Sequence, residues 1–337
     1  MLYSITTNNS ITFESHCPLT QDYTADRGIF VPLEFPHFSH KDILALQENS
    51  FGQNIANIMN LFFSTELNGW DVDFCIGRST MRMTQVNGKL LAIELWHTPT
   101  DNFSYFASRL YATITKTPTN DTPTEWFHIC VKIALLFATF GELARCSILE
   151  SVATLDFSLS GNDLSMPLAA FYAKKMGLPI GSLIVSSDRN KSLWNLIHRG
   201  DIYLSDRSEA LSVSIERLIH GTLGSVAACE FRQAYNQGQV YHIDEELLPT
   251  LNDGIFCVIT GAERSKQTIY SVYRTNQYIL DPETAMCVGG LQDYRSKSGE
   301  HNLTAVFSEQ SPRLHLDYIE SATGLTRRRL SELFSIL

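Results

Sequence analysis

Between Leu159 and Tyr203 the chain changes hydrophobic period twice. Small residues after Leu159 read as a loop, and then Leu168, Phe171, Tyr172 and Met176 recur at three- and four-residue spacings, one face of an amphipathic helix. Gly177 tolerates left-handed backbone and Pro179 blocks resumption, so the helix is predicted to stop there. Ser182 to Ser187 is a short aliphatic run, the pattern of a strand buried on both faces. Asp188 is suited to cap a second helix, whose Leu193, Leu196 and Ile197 face inward and which Gly200 ends. Helix and strand alternating in this way predict an α/β fold with a mostly parallel sheet.

The same reading extends along the chain. Gly28 suits a turn, Ile29 to Val31 a short strand, and Pro32 its end. Ser39 to Leu46 and Gln53 to Phe63 are predicted helices, the second with Ile55, Ile58, Met59 and Phe62 on one stripe. Leu90 to Leu95 is strand-like and runs into Trp96-His-Thr-Pro-Thr100, with a helix from about Phe103 to Ile114. Thr115 to Thr124, with Pro118, Asn120, Asp121 and Pro123, is a polar loop. An apolar helix near Phe127 to Ala144 and a strand-like Ile148 to Leu155 follow. Further on come helices over Glu209–Leu223, Val226–Tyr235 and Ser265–Arg274, and a strand over Gly254–Thr260. Asp281-Pro282 starts another helix as N-cap and first residue. A last strand at Leu303 to Ser308 precedes helices at Leu314–Ala322 and Thr326–Leu337.

Composition narrows the classes. With 44% hydrophobic and 18% charged residues, the 337-residue chain has material for a large core. Its net charge of −10 argues against nucleic acid or an anionic membrane as partner. The apolar helix near Phe127 contains Lys132 and Glu142 and reads as core, not as a membrane span. Seven scattered cysteines form no Cys-x-x-Cys pair, which predicts buried reduced thiols, no metal site and a cytoplasmic location. The N-terminus lacks the basic segment and apolar run of a signal peptide.

Five segments, in order, carry a family resemblance. Asp26-Arg-Gly-Ile-Phe-Val-Pro32 resembles Asp-Gly-Gly-Leu-Phe-Val-Pro, and Glu94-Leu-Trp-His-Thr-Pro-Thr100 resembles Glu-Leu-Trp-His-Gly-Pro-Thr. Ala173-Lys-Lys-Met-Gly-Leu-Pro-Ile180 matches nearly letter for letter. Glu216-Arg-Leu218 and Leu280-Asp-Pro-Glu-Thr-Ala285 resemble Phe-Glu-Arg-Leu and Leu-Asp-Pro-His-Thr-Ala. All five are similar to segments of threonine synthase, a fold-type II enzyme that uses pyridoxal phosphate (PLP). The resemblance implies a tryptophan-synthase-β-like α/β fold. Residues 1–95 would be an N-terminal threonine-synthase-like region, 96–158 a remnant of the small, lysine-bearing domain, and 159–337 the large α/β domain.

The resemblance fails where the chemistry should be. The family's lead-in continues Leu-Ala-Phe-Lys-Asp, whose lysine forms the imine with PLP; here Asp101-Asn-Phe-Ser-Tyr105 puts Ser104 at that position. A hydroxyl forms no imine, and the nearest lysines, Lys89 and Lys116, lie a strand and a helix away. The family's substrate-carboxylate loop, Ser-Gly-Asp-Thr-Gly, has no counterpart between Ser104 and Ser160, so the small domain is expected to be largely deleted. The phosphate cradle Ser-Gly-Asn-Phe-Gly-Asp keeps Ser160, Gly161 and Asn162, but Asp163-Leu-Ser-Met-Pro167 replaces the rest. Asp163 would bring negative charge towards a phosphate dianion. Ser308 corresponds to the threonine that faces the pyridine nitrogen.

Other polar residues have plain explanations. His97 beside Pro99 is read as part of a structural lead-in, and Cys130, Cys257 and Cys287 as buried thiols, not nucleophiles. Lys174-Lys175 and Arg327-Arg-Arg329 are read as solvated faces. A Ser-His-Asp hydrolase built on Ser104 lacks an elbow motif. Two functions compete. One is a PLP-dependent threonine synthase that converts O-phosphohomoserine to threonine. The other, favoured here, is a catalytically inactive homologue with no covalently bound cofactor, which serves as a scaffold for a protein partner or a small anionic ligand.

Overall fold

The chain begins with an antiparallel sheet in which β1 (Leu2–Ile5) lies between β2 (Asn8–Glu14) and β3 (Phe30–Pro32). This computed structural model describes residues 1–77, 81–118, 121–150, 153–187, 191–203, 209–252 and 254–334. Between β2 and β3 runs α1 (His16–Thr20) and then a turn, whose left-handed residue is Arg27 (φ 62°), not Gly28. Gly28 instead lets Ile5 pack close, since a Cβ there would lie 2.8 Å from Ile5 Cδ1. Ser39 starts α2 (His40–Ala45) through a reciprocal capping box with Asp42, and Ser50 caps α3 (Phe51–Phe63). The predicted stripe of α3 is buried: Ile55, Ile58, Met59 and Phe62 are at most 1% exposed. Next come α4 (Gly69–Ile76), β4 (Arg82–Asn87), β5 (Leu90–Glu94) and α5 (Ser104–Thr115).

The apolar helix is α6 (Glu125–Arg145), with Thr124 as its cap. It is long and apolar enough to cross a membrane, yet it lies inside the body against α3 and α7 (Ser165–Lys175). Of the strand predicted at Ile148 to Leu155, residues 148–150 and 153–154 are not extended into a strand, 151 and 152 lie outside the described residues, and Leu155 opens a strand. Strand β6 runs from Leu155 to Ser160, beginning at the last residue of the predicted strand and reaching into the loop expected from Leu159. Its Leu155, Phe157 and Leu159 join the core around α6 and α7, while Ser158 faces the other way and donates to the Cys287 carbonyl at 2.8 Å. Polar residues on a strand buried on both faces are what hid it.

Helix α7 ends as its glycine predicts. Gly177 (φ 102°) and Leu178 donate back to the Lys174 and Ala173 carbonyls, the paired bonds of a Schellman turn. Strand β7 (Ile180–Ser187) follows, then α8 (Ser192–Arg199) with Lys191 at its N-cap. The proposed cap Asp188 lies outside the described residues, as do Asn120 and 335–337. Strands β8 (Asp201–Ile202) and β9 (Tyr241–His242) pair across the helices α9 (Glu209–Leu223) and α10 (Ser225–Gln237). After α11 (Leu248–Leu251) come β10 (Ile255–Ile259), α12 (Ala262–Asn276), α13 (Pro282–Ser298) and β11 (Thr304–Ser308). A 3-10 turn at Pro312–His315 leads into α14 (Leu316–Thr323), and α15 (Arg327–Phe334) ends the described chain.

Six of these strands make the central sheet, in the order β10-β7-β6-β11-β5-β4, all parallel except β4. The strands predicted at Ser182–Ser187, Gly254–Thr260 and Leu303–Ser308 thus lie in one sheet, with β6 between β7 and β11. Alternate residues feed two cores. Leu91, Phe157, Val185 and Phe307 face α3, α6 and α7, while Ala92, Ile184 and Val306 face α12 and α13. Gly290 lets α13 lie close on β7, because a Cβ there would overlap Ser186 Oγ. Among the described residues, 105–158 contribute α5, α6 and the start of β6, with no second parallel sheet. Of the cysteines, Cys75, Cys130, Cys257 and Cys287 are buried, but Cys146 is exposed and Cys17 and Cys229 are half-buried, so the expectation of buried thiols holds for only four.

Candidate functional site

Strands β5, β6 and β11 end side by side, and the loops leaving them open a cleft, the usual ligand position in an open parallel sheet. Asn102, ahead of α5, bridges to Gln310 beyond β11, which sets the start of α5 beside the exit of β11. Two adjoining cavities of about 230 and 490 Å³ share Asn102, Lys132, Asp163 and Glu309 as lining. Helix α6 presents Glu125, His128 and Lys132 to the larger one, at spacings of three and four that put them on one face.

Lys132 is 5% exposed. Its Nζ donates to Ser165 Oγ at 2.9 Å and pairs with Glu309 Oε1 at 3.0 Å and Asp163 Oδ2 at 3.8 Å. Burial alone would lower its pKa, but the charges of Glu309 and Asp163 outweigh that and hold it above the ordinary value. The amine is therefore an ammonium, with no free pair for nucleophilic attack. Burial, then the charge of Lys132, pushes His128 down to about 4, so its imidazole is neutral near pH 7. Burial raises the Glu283 carboxyl, against the bond it accepts from Ser160. Asp163 moves the other way: its surroundings raise it, but Lys132 and the Ser165 amide bring it below the usual carboxylate range.

The residues expected from the sequence fall in three places. Ser104 begins α5, exposed on the larger cavity, with its amide on Asn102 Oδ1 at 2.9 Å. Ser160 lines the smaller cavity and Asn162 the larger. Gly161 is buried at the end of β6, and its N–H is committed to the Ser186 carbonyl at 2.7 Å. Ser308 is buried behind the cleft and donates to Asp281 Oδ2 at 2.8 Å. His97 stands outside both cavities, stacked on Trp96 at 3.8 Å and bonded to Glu94 at 2.5 Å.

These residues do not fit PLP. Three of the cradle's donors are used within the chain: Gly161 N–H by Ser186, Ser160 Oγ by Glu283 at 2.5 Å, and the Ser165 N–H by Asp163 Oδ1 at 2.8 Å. Carboxylates of Asp163, Asp281, Glu283 and Glu309 line the smaller cavity with Lys132 as counter-charge, an environment that repels a phosphate dianion. Lys132 is the lysine that lines both cavities, and it is held as an ammonium.

Sequence reasoning missed Lys132, Glu283 and Glu309. A usable signal existed for the first: a lone lysine among the apolar residues of α6 must be buried with partners, and Glu125-x2-His128-x3-Lys132 marks a polar stripe. Glu283, on α13, replaces the histidine of the family's Leu-Asp-Pro-His-Thr-Ala, which is its one signal, while Glu309 just beyond β11 has no local pattern to announce it.

Comparison with known proteins adds the following. Residues 2–80 match the family described as threonine synthase N terminus. The chain is 24% identical over 198 residues to threonine synthase-like 1 of Macaca fascicularis, which is 55% of this chain and 26% of that protein. It is 27% identical over 185 residues to threonine synthase of Pseudomonas aeruginosa, 50% of this chain and 37% of that protein. The matched region thus spans well under half of either relative. Its fold is that of the PLP-bound threonine synthase from Brucella melitensis (TM-score 0.82, 17% identity, 99% of this chain and 94% of that one). The yeast threonine synthase superposes similarly (TM-score 0.79, 19% identity, 97% and 90%).

Proposed function

We propose that this chain, a relative of the threonine synthases in its N-terminal segment and in its fold, is a non-catalytic member that does not hold PLP as an imine. One observation carries the reading. Ser104 stands in the first turn of α5 where the resemblance puts the lysine, while Lys132 is tied as an ammonium to Glu309 and Ser165. An imine needs a neutral amine free to attack a carbonyl, and neither residue supplies one.

What remains is an α/β body with a large buried core, and its role is that of a scaffold. Of the two occupants expected for it, the acidic lining of the cleft favours a protein partner over a small anion. The scattered cysteines fit a reducing compartment, so a cytoplasmic location belongs to the same proposal.

The test mixes purified protein with PLP, records the visible spectrum, reduces with borohydride and maps any pyridoxyl-lysine by mass spectrometry. Turnover of O-phosphohomoserine is assayed in parallel. No adduct and no threonine are expected. A pyridoxyl group on Lys132 together with threonine formation would instead establish the PLP-dependent enzyme.

A further inference from the structure

Asp163 is placed where an anion would be held. It follows β6 and precedes α7, an 11-residue helix whose first residue, Ser165, lines the larger cavity, and whose N-terminal amides carry the positive end of the helix dipole. One carboxylate oxygen accepts the Ser165 N–H at 2.8 Å and the other faces Lys132 Nζ at 3.8 Å. The side chain is 68% exposed to cleft water, so it is held there by these two interactions and not by packing. Glu309, 33% exposed, holds Lys132 from the other side at 3.0 Å. A helix N-terminus, a buried ammonium and a serine hydroxyl form an anion-binding set, and here the chain supplies the anions itself.

We propose that Asp163, with Glu309, is an intramolecular occupant of the anion site at the start of α7, so that the native cleft is self-liganded and excludes phosphate. This rests on the non-catalytic reading above but makes a narrower claim. Lack of the imine would explain lost catalysis alone, whereas self-occupation also explains why the cradle should not retain a free phosphate. The titratable groups that face the site are Asp163 and Glu309 beside Lys132, Glu283 bonded to Ser160, Asp281 on the smaller cavity, and Glu125 with neutral His128 on α6. The acidic side chains leave no net positive charge for an external anion.

The test is calorimetric titration of the full chain with inorganic phosphate, for the native protein, Asp163→Asn and Asp163→Asn/Glu309→Gln. Asparagine keeps an oxygen for the Ser165 N–H and removes only charge, and thermal melts check that each variant is folded; Asp163→Ser is the substitute if the asparagine variant is not. Phosphate affinity should rise with each neutralisation, by ~10-fold or more from native to double variant. Adding Lys132→Met to the double variant should abolish the gain. Equal binding by native and double variant, or no binding by either, overturns the proposal, as does undiminished binding without Lys132. These results are separable from the catalytic question, which is decided by the pyridoxyl adduct and threonine formation in the native protein.

Discussion

Lys132 on α6 and Glu309 beyond β11 meet at 3.0 Å, and the two differ in their access to water: 6% of the lysine side chain is exposed against 33% of the glutamate. That asymmetry sets the sign of their removal. Glu309→Gln leaves a buried ammonium with Asp163 at 3.8 Å and the Ser165 hydroxyl. The expected cost is ~2 kcal/mol, below the loss usual for stranding a fully buried charge because Asp163 remains. Lys132→Met leaves two carboxylates that both reach water, and should change stability by less than ~1 kcal/mol. Urea denaturation midpoints check this, and equal losses for the two variants would contradict it.

A second prediction concerns pH. Glu94, 5% exposed at the end of β5, accepts bonds from Thr84 Oγ1 at 2.7 Å, Tyr278 OH at 2.8 Å and His97 at 2.5 Å. Burial raises its pKa, but the bonds from His97, Thr84 and Tyr278 outweigh that and bring it below the ordinary value. A carboxyl depressed in the folded state stabilises above its unfolded pKa, and the contribution is lost as pH falls through the folded value. Glu94→Gln should therefore cost ~2 kcal/mol at pH 7. The gap from the native protein should begin to narrow as pH falls below the unfolded glutamate value of about 4.3 and close only below the lower folded value. A gap of constant size from pH 7 to pH 3 would rule this account out.

Packing of α13 on β7 yields a third. Ser186 Oγ is buried and, among the described residues, has no hydrogen-bond partner; a Cβ at Gly290 would overlap it and lie 3.1 Å from Thr260 Oγ1. Gly290→Ala should destabilise by ~2–3 kcal/mol through overpacking. Ser186→Ala alone removes an unsatisfied hydroxyl and should be near neutral. In the double variant most of the loss should return, since the two sites are in contact and not additive. Simple addition of the two single effects in a thermal melt would show that the clash lies elsewhere.

The parts of the fold that could be read from the sequence are those where local chemistry and burial agree. Helix α3 has its stripe and its Ser50 cap, and α7 has Gly177 at its end. Strands β7, β10 and β11 are short apolar runs. Strand β6 was not legible, because Asp156 and Ser158 look solvent-facing until Ser182, Asn302 and the Cys287 carbonyl supply their partners. The site divides in the same way. Ser104, Ser160 and Asn162 follow from the order of family-like segments. The commitment of Ser308 to Asp281, and of Lys132 to Glu309, depends on tertiary contacts between residues 27 and 177 positions apart. No spacing rule reports such pairs.

The fourth prediction returns to Ser104. The side chain is exposed at the first turn of α5, so Ser104→Lys should fold normally, with stability within ~0.5 kcal/mol of the native protein. A new lysine there restores an amine at the cleft but none of the phosphate donors, because Gly161 N–H, Ser160 Oγ and Ser165 N–H stay bonded to Ser186, Glu283 and Asp163. Imine formation then has little help from pre-bound cofactor, and the carboxylates around Lys132 still oppose a phosphate. The variant should therefore show no stable imine band at PLP concentrations equal to protein, and no threonine from O-phosphohomoserine. Adding Asp163→Asn and Glu309→Gln to it should let the band appear, through the phosphate site those changes open, and still give no turnover, since the family's Ser-Gly-Asp-Thr-Gly loop has no counterpart in the sequence. Threonine formation by Ser104→Lys alone would mean that one side chain, and not the altered cleft, separates this chain from catalysis.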